Sequence, residues 1–277
     1  MSVGFGRKRS SKRREEIVKT ASGFATVCIV AASCVFRASF ADGAEIKLVC
    51  AVAMKPALDE IAPGFERSAN HKVVITYATA GAVRDKVRSG EPFDLALLPT
   101  PFMDPLVTQG AVASGDVTVV ARSLISLGVR AGSPKPDIST VAAFKNSMLA
   151  AKSISYADPS QGGGSGIEVA RILESLGIAE AMKPKIKLGQ GADVVDLLAR
   201  GEVEIALGNT PAFVAKAGVE LVGAIPSELY DTRDFAFKLG IGANAKEADA
   251  AKSLIRYLLA PDVARVFKAK GVEPGGG

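Results

Sequence analysis

The chain has 277 residues, with 28 glycines, one histidine, three cysteines and no tryptophan. Its formal net charge of +5 sits in the first segment: residues 1–41 hold eight Lys/Arg and two acids, and removing these from totals of 34 and 29 leaves 26 basic and 27 acidic residues. That balance argues against a nucleic-acid-binding face, and one histidine with a single cysteine beyond residue 41 argues against a metal site, an intramolecular disulfide or a Ser-His-Asp triad.

Met1–Lys19 is strongly basic, Ala21–Phe36 is apolar and uncharged, and Ser39-Phe40-Ala41 places small residues at the −3 and −1 positions. This order predicts a secretory signal peptide over 1–41, cleaved after Ala41. Ala31-Ala32-Ser33-Cys34 only loosely matches a lipoprotein box, and Arg13-Arg14 is followed by Glu16 where a twin-arginine signal needs an apolar residue.

Beyond the leader, Ile46–Val52 is an apolar run of the kind found in buried parallel strands. Lys55–Ala69 spaces Leu58, Ile61, Ala62 and Phe65 as a helix, with Pro56 in its first turn. Lys72–Tyr77 is a second strand, Thr79-Ala80-Gly81 a turn and Ala82–Ser89 a helix. Leu95–Leu98, closed by Pro99, is a third strand, and Phe102–Gln109 a helix stopped by Gly110. This β-α-β-α-β-α order predicts a parallel sheet with helices on both faces. Val117–Arg122 and Leu124–Val129 are extended, the second as a crossover between lobes.

The alternation then restarts. After a helix over Thr140–Ala151 come a strand at Ser153–Tyr156, a Gly-rich loop at Gln161–Gly166 and a helix at Ile167–Leu176. Strand-like Lys185–Leu188, helix Ala192–Arg200, strand Glu204–Leu207, helix Thr210–Ala217 and strand Glu220–Val222 follow. Phe235–Gly242 returns as a strand, and helices at Lys246–Leu259 and Pro261–Lys270 end the chain. The expected architecture is α/β with two lobes: residues 45–126 plus 240–274 form one, and 127–239 the other. Ligands in such folds sit at the carboxyl ends of the strands.

Four stretches carry a family resemblance: Ala51–Ala62, Tyr77–Leu98, Tyr156–Leu176 and Gly201–Asn209. In order and spacing they resemble the molybdate-binding-protein-like branch of the type 2 periplasmic solute-binding proteins. The resemblance implies two mostly parallel lobes around a cleft, a periplasmic location and delivery of a small anion to the permease of an ABC importer. It also implies a monomer with no cofactor. Ala53 stands where molybdate binders offer a serine, Thr79-Ala80 where they offer a serine pair, and Gly208-Asn209 where they often have a tyrosine. This variant pattern resembles a subgroup that contains a periplasmic aconitate isomerase.

The loops at the expected strand ends supply the candidate ligand contacts. These are Ala53, Met54 and Lys55; Thr79, Ala80, Gly81 and Arg84; Pro99; Arg122; Gly163, Gly164 and Ser165; and Asn209 with Thr210. Backbone N–H groups at a helix start favour an anion. Arg84 opposes the dipole of its own helix, a position that a bidentate carboxylate contact would explain. The glycines let a backbone approach a ligand closely. No residue is assigned a catalytic or metal-binding role. Were the chain an isomerase, Lys55, Asp158 or Glu168 would have to move the proton, since no histidine is available there.

Overall fold

The computed structural model describes Met1, residues 43–190 and residues 193–275. The expected signal peptide, with Cys28 and Cys34, lies outside the described residues.

The first lobe opens with β1 (Glu45–Ala51), a 3-10 turn at Val52–Met54 and α1 (Lys55–Ala69). Ala57, Leu58, Ile61 and Phe65 of α1 are buried at the three- and four-residue spacing of one helix face. Asn70 ends the helix in the left-handed region at φ 54°. There follow β2 (Lys72–Ala78), α2 (Ala80–Arg88), β3 (Leu95–Pro99), α3 (Thr100–Thr108) and β4 (Val112–Arg122). All of β3, Leu-Ala-Leu-Leu-Pro, is buried, as a strand covered on both faces must be.

The second lobe contains β5 (Ile125–Arg130), α4 (Val141–Ala150), β6 (Ile154–Ala157), α5 (Gly164–Ser175), the short α6 (Ala179–Met182) and β7 (Ile186–Gly189). It continues through α7 (Asp193–Ala199), β8 (Ile205–Asn209), α8 (Thr210–Val214) and β9 (Val219–Ala224). The chain then returns to the first lobe as β10 (Ala236–Gly242), α9 (Ala248–Leu258), α10 (Pro261–Ala269) and β11 (Glu273–Pro274).

Two sheets result, ordered β11-β4-β10-β3-β1-β2 and β7-β6-β8-β5-β9. In the first, β1, β2 and β3 are parallel, and β10 is antiparallel to both β3 and β4, so β4 shares the direction of β1. In the second, β6, β7 and β8 are parallel, and β5 is antiparallel to β8 and β9. Each sheet is thus mostly parallel in strand direction, and the fold is the two-lobed one expected.

The differences are local. β4 begins at Val112, five residues before the expected Val117, because it pairs with β10 through two register shifts. The helix expected at Ala82 begins at Ala80, since the Thr79 hydroxyl accepts the Ala82 N–H at 3.2 Å and caps it. α6 and β11 carry too little pattern to have been expected. Cys50 is a buried core residue whose thiol pKa is pushed up by desolvation, then by Asp59. His71 accepts the Ala44 N–H at Nδ1, 3.0 Å away, and packs near Phe65.

Asp94 ties the two ends of the first lobe together. Its buried carboxylate accepts N–H groups from Lys47 at 2.8 Å, Lys246 at 2.8 Å and Glu247 at 3.0 Å. Asp94→Ala would orphan three N–H groups. It is expected to cost about 3–5 kcal/mol, read as a lower urea midpoint, with Asp94→Asn costing less because it keeps an acceptor. An unchanged midpoint for Asp94→Ala would contradict this role.

Candidate functional site

The carboxyl ends of β1, β3, β6 and β8 face one cleft of 810 Å³ between the lobes. Residues lining it from the first lobe include Ala53, Lys55, Asp59, Thr79, Ala80, Arg84, Pro99 and Phe102. The second lobe contributes Asp158, Gln161, Gly163, Gly164, Ser165, Glu168, Asn209 and Lys216, among others. The back wall is apolar, built from Val194, Val195, Leu207, Phe213, Phe235 and Phe237.

Among the described residues, four helices of eight or more residues start at this cleft: α1, α2, α3 and α5. None has an acidic residue in its first turn. Their N-terminal partial charges are therefore uncompensated from within the helix. The starts of α1, α3 and α5 all lack a side-chain cap, but Pro56 and Pro101 each remove an N–H from the first turns of α1 and α3, so α5 offers the fuller set. Its N-cap Gly163 provides no side-chain acceptor, so the N–H groups of Gly164 and Ser165 have no capping partner. A Cβ on Gly164 would lie 3.2 Å from the Phe102 ring of the opposite lobe. A Cβ on Gly166 would lie 1.8 Å from the Ala157 carbonyl, so the close seating of α5 on β6 requires glycine there.

The charged side chains are arranged mainly in pairs. Lys55 reaches Asp59 at 2.7 Å and lies 4.7 Å from the centroid of the Tyr77 ring. Tyr77 donates its hydroxyl to Asp59 at 2.8 Å, and its own pKa is raised by burial, then by that bond. Arg84 pairs with Asp85 at 2.8 Å and stands 5.9 Å from the centroid of Phe102. Phe102 therefore brings Arg84 of one lobe and Gly164 of the other to the same place. Lys216 pairs with Asp196, and Glu168 with Arg171, which also donates to the Leu229 carbonyl at 2.9 Å. Asp158 accepts the Ser160 N–H at 2.8 Å.

The structure brings Ala53, Lys55, Thr79, Ala80, Arg84, Pro99, Gly163, Gly164, Ser165 and Asn209 to the cleft. Four other candidates do not line it. Met54 is turned into the first-lobe core by the 3-10 turn and is fully buried. Gly81 is covered because its N–H donates to the Gly162 carbonyl at 3.0 Å. Arg122 is exposed at the end of β4, where it pairs across the sheet with Ala236 and Glu273. The Thr210 hydroxyl is engaged by Ser126 at 2.8 Å and the Leu124 carbonyl at 3.1 Å. Asp59 was not anticipated, although it lies one helical turn after Lys55. Phe102, Phe213, Asp234 and Phe235 were missed as well. Among the described residues, no group of three His, Cys, Asp or Glu side chains is placed to hold a metal ion.

The description "bacterial extracellular solute-binding protein" fits residues 46–273. The chain belongs to that family. Among its relatives, an aconitate isomerase from Pseudomonas sp is 28% identical over 221 residues, covering 78% of this chain and 82% of that protein. The molybdate-binding protein ModA of Azotobacter vinelandii is 28% identical over 255 residues, covering 88% of this chain and 95% of that one. A solved structure of an Azotobacter vinelandii periplasmic molybdate-binding protein superposes with a TM-score of 0.69 at 18% identity. It covers 82% of this chain and 98% of that one, which is a likeness of fold.

Asp234, at the cleft, differs from the paired acids. Its carboxyl pKa is raised by desolvation first, then by Asp231 and Glu168, against the opposing pull of Arg233 and Arg171. A raised carboxyl takes up its proton earlier as pH falls, so this negative charge leaves the cleft on acidification. Asp234→Asn is expected to tighten binding of an anionic probe about two- to threefold at pH 7, the scale of an exposed charge interaction. It should also remove the part of the parent chain's pH dependence that comes from this carboxyl taking up its proton as pH falls. Citrate titrations of both proteins check this, since the probe's own ionisation cancels between them. Equal affinities at pH 7 would contradict it.

Proposed function

We propose that this solute-binding protein captures a small anion in the periplasm and hands it to the permease of an ABC importer. The observation that carries the reading is the uncapped start of α5 at Gly163-Gly164-Ser165, held opposite Arg84 by Phe102. Backbone N–H groups with an unopposed helix dipole bind negative charge without bringing a counter-charge of their own. Arg84 adds a planar donor suited to a carboxylate. The basic, apolar and small-residue order of residues 1–41 supports export, and the relatives include periplasmic binding proteins.

The walls favour an organic anion. A tetrahedral oxyanion needs a tight shell of donors, whereas this cleft is 810 Å³ and backed by three phenylalanines and several aliphatic residues. Mixed apolar and polar lining of that size suits a carboxylate with a carbon skeleton. We place the hinge where the chain crosses between sheets, at Ser123-Leu124 and near Phe235. The Ser123 N–H donates to the Phe235 carbonyl at 3.1 Å, so the two crossings move together. The lobes then comprise residues 43–122 with 236–275, and residues 125–224.

A second reading, an isomerase that shifts an allylic proton in an unsaturated tricarboxylate, draws on the cleft positions of Lys55, Asp158 and Glu168 and on the relative named as an aconitate isomerase. Each of the three is engaged by a neighbour, namely Asp59, Ser160 and Arg171. That engagement is the reason binding is preferred.

The test is a thermal-shift panel on residues 42–277 with molybdate, tungstate, sulfate, citrate, and cis- and trans-aconitate. A ligand at 100 times its Kd adds about 2.7 kcal/mol of stability. Stabilisation by carboxylates is expected, with Arg84→Ala weakening the effective anion at least about tenfold, as loss of a charged hydrogen bond implies. Stabilisation by molybdate or tungstate alone would overturn the organic-anion reading. Interconversion of the two aconitates by the same samples would favour the isomerase.

A further inference from the structure

The capped start of α2 looks like an anion site, yet two of its donors are already spent across the cleft. Thr79 accepts the Ala82 N–H and donates its own hydroxyl to the Gln161 carbonyl at 2.8 Å. The Gly81 N–H donates to the Gly162 carbonyl at 3.0 Å. Both acceptors belong to the second lobe and both donors to the first. These bonds join the lobes, as does the packing of α8 on α1 and the Val52–Met54 turn.

The approach is closer than side chains allow. A Cβ built on Gly81 would lie 2.8 Å from the Gly162 Cα and 3.2 Å from its carbonyl oxygen. A Cβ on Gly162 would lie 2.8 Å from the Gly81 Cα. Gly162 also has φ +70°, a left-handed conformation that glycine adopts freely. Gly81 carries no such demand, since it sits in the first turn of a helix. Its lack of a side chain matters only toward the other lobe.

We propose that Thr79 and Gly81 with Gln161 and Gly162 form an interlobe latch that sets how far the cleft closes. The latch rests on the solute-binding reading for its purpose, because closure is what retains a ligand. Its position couples it to that ligand. Gly162 is followed directly by Gly163 and Gly164, the uncapped start of α5, so an anion ordering this start also fixes the carbonyls that engage Thr79 and Gly81. In the latched form the Gly81 N–H and the Thr79 hydroxyl are not available to an anion. Because the latch stabilises only the closed form, its strength sets the closed population and hence the apparent affinity.

Gly81→Ala separates the latch from general stability. Alanine is the better helix former, so α2 gains while the opposite lobe is pushed away. The test uses residues 42–277 with spin labels at Arg88→Cys and Lys187→Cys, both exposed and on different lobes; Cys50 is buried and unlabelled. Without added ligand, pulsed electron-electron distances should be longer for Gly81→Ala than for the parent, while its melting temperature is no lower. With citrate as probe, affinity should fall at least tenfold. Identical ligand-free distance distributions would overturn the latch. Should citrate and the other panel anions fail to bind the parent, the anion reading fails alone, and the ligand-free distances still decide the latch. A longer distance accompanied by a large drop in melting temperature would also count against it, because the substitution would then be disrupting α2 or its lobe.

Discussion

A helix that begins where a parallel strand ends leaves several backbone N–H groups without partners. In this protein, that constraint operates from both lobes toward one gap. The strand directions require it: β1 and β3 point at the cleft from one side, β6 and β8 from the other. The remaining features of the site decide which of those N–H groups stay free. Thr79 and the Gly162 carbonyl occupy the start of α2, whereas Gly163 leaves the start of α5 open.

Side-chain charge plays a smaller part than the residue types suggest. Lys55, Lys216 and Glu168 line the cleft but are matched by Asp59, Asp196 and Arg171. Such partly exposed pairs contribute little net energy. They do hold the walls in place, as Lys55, Asp59 and Tyr77 do through two hydrogen bonds and a ring contact. Backbone dipoles then bear most of the attraction for an anion, with Arg84, itself paired with Asp85 at 2.8 Å, adding its remaining donors. The apolar lining beside them, Phe213, Phe235 and Phe237 included, lowers the local dielectric and makes each of those donors more effective.

The two-lobed α/β architecture was legible in the sequence because β-α alternation and period-3.6 apolar spacing are strong, local signals. The loops at the strand ends were legible too, since a parallel strand followed by a helix fixes where the turn must point. What escaped were facts about pairs of residues distant in sequence. Nothing in Thr79-Ala80-Gly81 shows that Gln161-Gly162 will meet it. Arg122 looked like a cleft residue because it precedes a crossover, but its strand continues into pairing with Ala236 and Glu273. Met54 followed a strand end as Ala53 did, but the three-residue 3-10 turn at Val52–Met54 sent it into the core instead. α5 was expected to begin at Ile167 because glycine is a poor helix former, whereas close seating against Ala157 makes Gly164 and Gly166 its first turn.

The central claim is that the start of α5, and not that of α2, receives the anion. Amide resonances of 15N-labelled residues 42–277, followed as citrate is added, test it most directly. The account predicts large shifts at Gly164 and Ser165, with the Gly81 amide remaining hydrogen-bonded and protected from solvent exchange. Shifts centred on Gly81 and Ala82, with Gly164 and Ser165 unmoved, would contradict it.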